Sequence, residues 1–497
     1  MLGPMPAAYA RGGSSKAKSQ RHAPERAARG AKAKSAKAHV PAGRLPVTVM
    51  AALAKVHVPL SSMSVVVERI GAAAPLAALN ANEPMLPAST MKLVTTYSGL
   101  SLLGPDYRWK TTAYANGQLA AQGVLHGNLY IQITGDPKLV PEELIDLVEQ
   151  IRKSGITGID DALVLDKRYF DASTRDLPAF DTDESAPYNV GPDPLLYAFK
   201  LLSFTLTLNT DGQVSIDVLP QLAQLQIDNE LRVTRGACTG SLQAASPSVA
   251  QTQGGFVQAS CVCDYPLRCG PRTVNVAALD HSIFFAGGFL ALWKQAGGTF
   301  NGTTQGPTSS SARLVGTHRS PVLSDVVRDI NKFSNNVMAR NLFLTIGATE
   351  FKSLATTAKS AAAIQTFLRK SALPMNGLVL DNGSSLSREE HISAASLADL
   401  LVAANSSPVA QVFVESLPIA GTMRNRLTNA GALGNVHIKT GTLHDVRAIT
   451  GYLGAANGES YVVVSFINDP CAEAARAAHD ALLEWIYEGA RKTAELD

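Results

Sequence analysis

The chain has 497 residues, 46% of them hydrophobic and 17% charged, which suits a sizeable buried core and two to four domains rather than one. It contains no run of about 18 apolar residues, so no transmembrane helix is expected. Net charge is +3, but residues 1–45 hold ten Lys/Arg against Glu25 alone, a charge of +9 that leaves the remainder at −6.

That first segment is Ala, Gly, Ser, Lys and Arg with few large apolar residues, so residues 1–45 are expected to be a disordered basic tail. Attachment to an anionic surface and simple solvation are both open readings of it. It lacks the apolar stretch of an export signal. The folded part is expected to begin near Leu45, with a helix over Leu45–Ala54 and strands over Ser64–Glu68 and Pro75–Asn80. A helix over Ser89–Leu103 stops at Gly104-Pro105. Strands are predicted over Arg108–Tyr114 and Val124–Thr134, with Asn116-Gly117 as a turn. A helix follows over Pro141–Lys153, opened by proline and two acids, then a strand over Ala162–Leu165. Residues 200–278 are rich in short β-type runs, such as Phe204–Leu208 and Gln213–Val218. Helices return over Ile283–Gln295, Leu323–Asp329, Asn341–Ile346, Thr357–Lys370 and Ala394–Ala404. Strands over Val436–Lys439, Val446–Leu453 and Ser460–Asn468 precede a closing helix over Ala472–Arg491. The expected fold class is α/β (α+β): helices on an antiparallel sheet, built from both ends of the folded chain and interrupted by a large β-rich insertion. The expected division is 46–110 with 283–497 as one domain, and 111–282 as an inserted region of two small subdomains.

Four of the five cysteines lie close together, at Cys238, Cys261, Cys263 and Cys269. Their spacing fits a zinc ribbon poorly. Two disulfides fit better, with the pairing open, and imply an oxidising compartment. Cys471 reads as a small buried hydrophobe.

Three short motifs stand in order. Ser89-Thr90-Met91-Lys92 is an S-x-x-K at a predicted helix start; residues i and i+3 share a helix face, so a hydroxyl and an amine can meet. Such a pair suits a nucleophile beside its base. Taken alone it also reads as an N-cap serine with an exposed lysine one turn on. Ser334-Asn335-Asn336 is the only S-x-N in the chain, and Lys439-Thr440-Gly441 the only K-T-G. Alone, these read as a helix cap and a strand end. All three in this order are hard to reach by chance.

The series resembles the penicillin-recognising serine enzymes. The long gap between Ser89 and Ser334 is similar to that of the low-molecular-mass class C penicillin-binding proteins, the D-alanyl-D-alanine carboxypeptidase/endopeptidase family of penicillin-binding protein 4 type (peptidase family S13). Further matching stretches are Leu103-Gly104-Pro105-Asp106-Tyr107, Gly135-Asp136-Pro137, Pro187-Tyr188-Asn189, Leu386-Ser387-Arg388 and Ser416-Leu417-Pro418-Ile419-Ala420-Gly421. One departure is Asp381-Asn382-Gly383-Ser384-Ser385, where the family usually reads D-G-S-G; it is expected to affect a local turn and not the catalytic centre.

The resemblance implies that Ser89 attacks the carbonyl between two D-alanines, that Lys92 takes its proton, and that Ser334 passes a proton to the departing amine. Asn336 would orient Lys92 and the substrate amide. Lys439 would supply positive charge near the terminal carboxylate, bound by Thr440 and Thr442, with Gly441 between them allowing close approach. The N–H groups of Ser89 and Thr442 would form the oxyanion hole. Asp183, Tyr188 and Arg388, with Leu443 and His444, would bind the substrate's charged side chain. The implied partners are peptidoglycan stem peptides and cross-bridges, with β-lactam antibiotics as covalent inhibitors. No nucleic acid, no metal and no cofactor are expected, the membrane is at most peripheral, and the compartment is the periplasm. A β-lactamase using the same residues and a catalytically idle wall-binding scaffold are the alternatives.

Overall fold

The structure, a computed structural model, describes residues 45–175, 180, 186–235, 238, 247–373, 375, 377–419 and 436–490. The basic tail and Asp183 lie outside the described residues. The chain opens with helix α1 (Val47–Lys55) and strands Met63–Arg69 and Ala77–Leu79, followed by α2 (Lys92–Leu103). Helices α3 (Pro141–Lys153) and α4 (His281–Gln295) belong to its middle. Then come α5 (Leu323–Phe333), α6 (Asn336–Phe351), α7 (Thr357–Lys370), α8 (Ala394–Asn405), α9 (Ala410–Glu415) and, last, α10 (Arg476–Tyr487). Among the described residues no helix is long and apolar enough to cross a membrane.

One antiparallel sheet joins the two ends of the chain. Its order is Ala77–Leu79, Met63–Arg69, Ser460–Asn468, Val446–Gly454, Val436–Leu443. The central strands are almost wholly buried, because helices cover both faces. Successive side chains of a strand point to opposite faces. Val65, Val67 and Val463 accordingly pack with Val49 and Leu53 of α1 and Leu482 and Ile486 of α10. Val66, Val462 and Val464 enter the other core, with Val94 of α2, Leu342 of α6 and Leu397 of α8. Each such valine contributes about 1.5–3 kcal/mol by leaving water. This double cover explains why these strands read as continuous apolar runs without alternation.

A second core lies between α3, α4 and a mixed sheet that includes Lys110–Leu119, Val124–Ile133, Leu163–Asp166 and Arg313–Arg319. Leu147, Ile151, Phe285 and Trp293 are buried there. Leu202 and Phe204 join it from a further antiparallel sheet, Leu201–Leu208 with Val214–Leu219 and Arg272–Ala277. The fold is thus α+β, with helices on antiparallel and mixed sheets.

Three expectations need correction. Asn116-Gly117 is no turn: the strand runs on to Leu119, and the reversal lies at Ala120–Gly123, where Gly123 takes a φ of +83°. Gly117 sits opposite Gly127 in the ladder, and a Cβ on either would strike the facing backbone. A glycine pair that lets two strands approach imitates a local turn signal. Of the clustered cysteines, Cys238 and Cys269 form a disulfide, while Cys261 and Cys263 are free thiols. Cys261 points into the second core at the end of Val257–Cys261, where burial pushes its pKa up to about 11. Cys471 is exposed, in the connection before α10.

Candidate active site

Ser89 lies in a single 3-10 turn, Ala88–Met91, that runs straight into α2. Lys92, one turn on, is wholly buried and donates from Nζ to Ser89 Oγ at 3.0 Å, Asn336 Oδ1 at 2.7 Å and the Ser384 carbonyl at 2.8 Å. Its pKa is held well below the usual lysine range, first by burial, then by the like charges of Lys439 and Arg340, with Glu390 pulling the other way. An ammonium buried beside two cations loses its proton readily, which a general base requires.

The Ser334-Asn335-Asn336 segment is a joint between helices. Ser334 ends α5 in the left-handed region (φ +56°), Asn335 caps α6 by accepting the Met338 N–H at 3.1 Å, and Asn336 is the first residue of α6. The Asn336 amide donates from Nδ2 to the Tyr188 carbonyl at 3.1 Å, which turns its oxygen toward Lys92. A residue far away in the chain thereby sets the polarity of a contact to the amine.

Lys439 sits on Val436–Leu443, an edge strand of the five-stranded sheet. It is buried and donates to Ser334 Oγ at 2.8 Å and to the Thr440 carbonyl at 2.8 Å. The strand packs against the Ser89 turn at Gly441, where an added Cβ would lie 2.8 Å from the Pro87 oxygen, 2.9 Å from Ala88 Cβ and 3.0 Å from the Ser89 nitrogen. Only glycine admits that approach. Three non-glycine residues with left-handed backbone surround the site: Ala88 (φ +44°), Ser334 (φ +56°) and Ser385 (φ +62°). Each costs about 1–2 kcal/mol, a strain typical of functional sites.

The cleft in front of Ser89 encloses about 410 Å³ and is lined by Ser89, Phe180, Tyr188, Asn336, Ser385, Leu386, Thr442, Leu443, His444 and Arg447. Tyr188, Thr442, Leu443 and His444 thus share one cleft with Ser89. Arg388 is engaged beside it: its guanidinium lies 5.1 Å from the Phe180 ring centroid and pairs with Asp445 at 2.6 Å. Thr440 is on the same strand as Thr442 but is not among the residues that line the cleft.

Several residues at the site escaped the sequence. Arg340 is buried and spans from Ser384 Oγ (3.3 Å) to the Val190 carbonyl (3.3 Å). Ser384 and Ser385 come from the segment that departs from the family pattern, and one of them holds the Lys92 amine. That departure therefore touches the catalytic centre and is not confined to a turn, because a backbone carbonyl of the turn is a ligand of the amine. The departure at Asp381-Asn382-Gly383-Ser384-Ser385 and the match at Leu386-Ser387-Arg388 are the sequence signals near these residues.

Residues 46–488 match the D-Ala-D-Ala carboxypeptidase 3 (S13) family. A D-alanyl-D-alanine carboxypeptidase of Actinomadura sp. (strain R39) is 28% identical over 371 residues, 71% of this chain and 66% of that protein, so the match spans about two thirds of the relative's length. D-alanyl-D-alanine carboxypeptidase DacB of Haemophilus influenzae is 25% identical over 69% of this chain and 70% of its own. The crystal structure of penicillin binding protein 4 (dacB) from Haemophilus influenzae superposes with a TM-score of 0.72 at 24% identity, covering 88% of this chain and 100% of that one. The chain belongs to the D-Ala-D-Ala carboxypeptidase 3 (S13) family, and so to the serine peptidases.

Proposed function

We propose that the chain removes the terminal D-alanine of peptidoglycan stem peptides through an acyl-enzyme on Ser89, and opens D,D-cross-bridges by the same route. The observation that carries this is the Lys92 amine, buried, 3.0 Å from Ser89 Oγ and depressed in pKa. Ser89 Oγ gives its proton to Lys92 Nζ and bonds to the carbonyl carbon of the penultimate D-alanine. The oxyanion is met by the N–H groups of Ser89 and Thr442, each worth about 3–4 kcal/mol. As the peptide C–N bond breaks, the proton on Lys92 passes to the departing amine through Ser334, which Lys439 holds at 2.8 Å, and Lys92 is neutral again. Water then attacks the ester carbonyl carbon as Lys92 takes its proton, the bond from that carbon to Ser89 Oγ breaks, and Lys92 returns the proton to Oγ.

Lys439 and the hydroxyls of Thr440 and Thr442 receive the substrate carboxylate. Tyr188, Arg388, Leu443 and His444, with Asp183, are assigned to the substrate's side chain. β-Lactams acylate Ser89 in this reading, as substrate mimics; the Haemophilus protein has been solved complexed with a β-lactam. Residues 46–110 with 283–497 are assigned to the catalytic domain and 111–282 to the insertion. The Cys238–Cys269 disulfide supports a periplasmic or other oxidising compartment.

A fluorescent penicillin and a D-alanine release assay test the reading. A stable adduct on Ser89 and loss of D-alanine release in Ser89→Ala are expected. Rapid turnover of the penicillin without D-alanine release would instead make the protein a β-lactamase, and a folded protein that takes no label would make it a scaffold.

A further inference from the structure

Behind the Ser89 cleft, the segment 380–390 forms a loop closed at its base by the Val379–His391 backbone pair. Inside it the Glu390 side chain is wholly buried. Its Oε1 accepts three backbone N–H groups, from Asp381 at 2.9 Å, Asn382 at 2.9 Å and Gly383 at 2.7 Å. The next two carbonyls turn outward to the catalytic helix: Gly383 accepts the Thr95 hydroxyl at 2.7 Å, and Ser384 accepts Lys92 Nζ at 2.8 Å. On the far side, Arg340 Nε donates to Ser384 Oγ at 3.3 Å. We propose that Glu390 is a positioning residue of the reaction: one carboxylate oxygen gathers three amides and so aims the Ser384 carbonyl that fixes the Lys92 amine against Ser89.

The physical case rests on cost. A carboxylate with no exposure loses its hydration, and its second oxygen, Oε2, is buried without a hydrogen-bond partner among the described residues. Burial accordingly pushes the Glu390 pKa up against the pull of the three amides. A group serving only to fill space would be better replaced by an apolar one. What the Glu390 side chain adds is a single acceptor oxygen at the reach where three backbone donors converge, in a loop strained at Ser385 (φ +62°). The charged groups that bear on Lys92 are Lys439 from the edge strand, Arg340 from α6 and Glu390 from this loop; Asp381 and Arg340 bear on Glu390 itself.

The inference rests on the proposed role of Lys92 as base. Its test is the acylation rate of the full chain by a fluorescent penicillin, resolved into dissociation constant and chemical step, for Glu390→Ala, Glu390→Gln and Glu390→Asp. Gln keeps the oxygen at the same reach without the charge. Asp keeps the charge but withdraws the oxygen by one methylene. Misplacing the base should slow the chemical step by roughly tenfold to a hundredfold in the Ala and Asp variants. Penicillin dissociation should stay within about twofold, and Gln should recover most of the rate. If Ala does not fold, the order Gln faster than Asp still decides. Asp as fast as Gln, or all variants at the wild-type rate, overturns the role of Glu390 alone. A wild-type protein that takes no label overturns the proposed reaction, and this inference with it.

Discussion

The closest test of the site's geometry is Gly441→Ala. The substitution adds one methyl group, and the backbone around it says where that group must go. It would lie 2.8 Å from the Pro87 oxygen, 2.9 Å from Ala88 Cβ and 3.0 Å from the Ser89 nitrogen. Non-bonded carbon contacts settle near about 3.5–4.0 Å, so strand and turn must part by about 0.5–1 Å. Neither side yields cheaply: the strand is laddered to Val446–Gly454, and the turn is continuous with buried α2. Overpacking of this kind costs about 1–3 kcal/mol of stability. The larger effect falls on rate, since the parting separates Ser89 from Thr442 and Lys439. A displacement near 1 Å costs up to about a hundredfold, or about 2.7 kcal/mol in the barrier. Stopped-flow acylation by a fluorescent penicillin reads the rate, and denaturant unfolding reads the stability. A folded Gly441→Ala protein that acylates within twofold of wild type would refute the claim that this approach sets the chemistry.

Acylation should rise with pH along a limb set by Lys92, because the base must lose its proton. Arg340→Met removes a like charge that lowers the Lys92 pKa, so the limb should move to higher pH in a pH–rate profile. The same depression bears on stability. Below the unfolded lysine value and above its own lowered one, Lys92 holds fewer protons folded than unfolded, so its contribution should improve as pH rises through that window, by urea titration at several pH values. Reduction of Cys238–Cys269, or Cys238→Ser with Cys269→Ser, should cost about 2–4 kcal/mol in unfolding. It should leave the acylation rate of the folded protein unchanged, because the bridge belongs to the β-rich middle of the chain. Ser385→Gly should relieve left-handed strain of about 1 kcal/mol and raise the denaturant midpoint at unchanged slope.

The parts of this fold that were readable from sequence are those fixed by short-range physics. The valine-rich run Ser64–Glu68 and the Ser460–Asn468 run announce buried strands, and the Gly104-Pro105 stop ends α2 where it was expected. The S-x-x-K pair is likewise local, since one turn brings Lys92 to Ser89 whatever the rest of the chain does. Convergence of Ser334 and Lys439 on that pair is not local and was reached only through the resemblance. Where local signals competed with tertiary packing, packing won. Asn116-Gly117 carries the strongest short turn signal in its region, yet the pairing with Gly127 draws it into a strand. Glu389-Glu390-His391 looks like a solvated stretch, and nothing in its spacing says that Glu390 is wholly buried.

The same contrast bears on the different work proposed for the two lysines of the site. Both are buried, so burial alone cannot separate them. Their acceptors can. Lys92 meets the nucleophile's hydroxyl, an amide oxygen and a carbonyl, with Arg340 and Lys439 nearby as like charges. None of those three acceptors carries a formal charge to hold the proton, and the one anion bearing on the amine among the described residues, Glu390, is occupied by three backbone amides. A proton placed on Lys92 is therefore repelled by two cations and attracted by one shielded carboxylate, which is the balance a base needs to collect a hydroxyl proton and give it up again. Lys439 reaches Ser334 from an edge strand beside the cleft, and in the proposed reaction it receives the substrate carboxylate, which brings a negative charge beside it. Substrate binding would then weaken the repulsion that Lys439 exerts on Lys92, raise the proton affinity of the base, and so tie proton transfer to the arrival of the correct carboxylate.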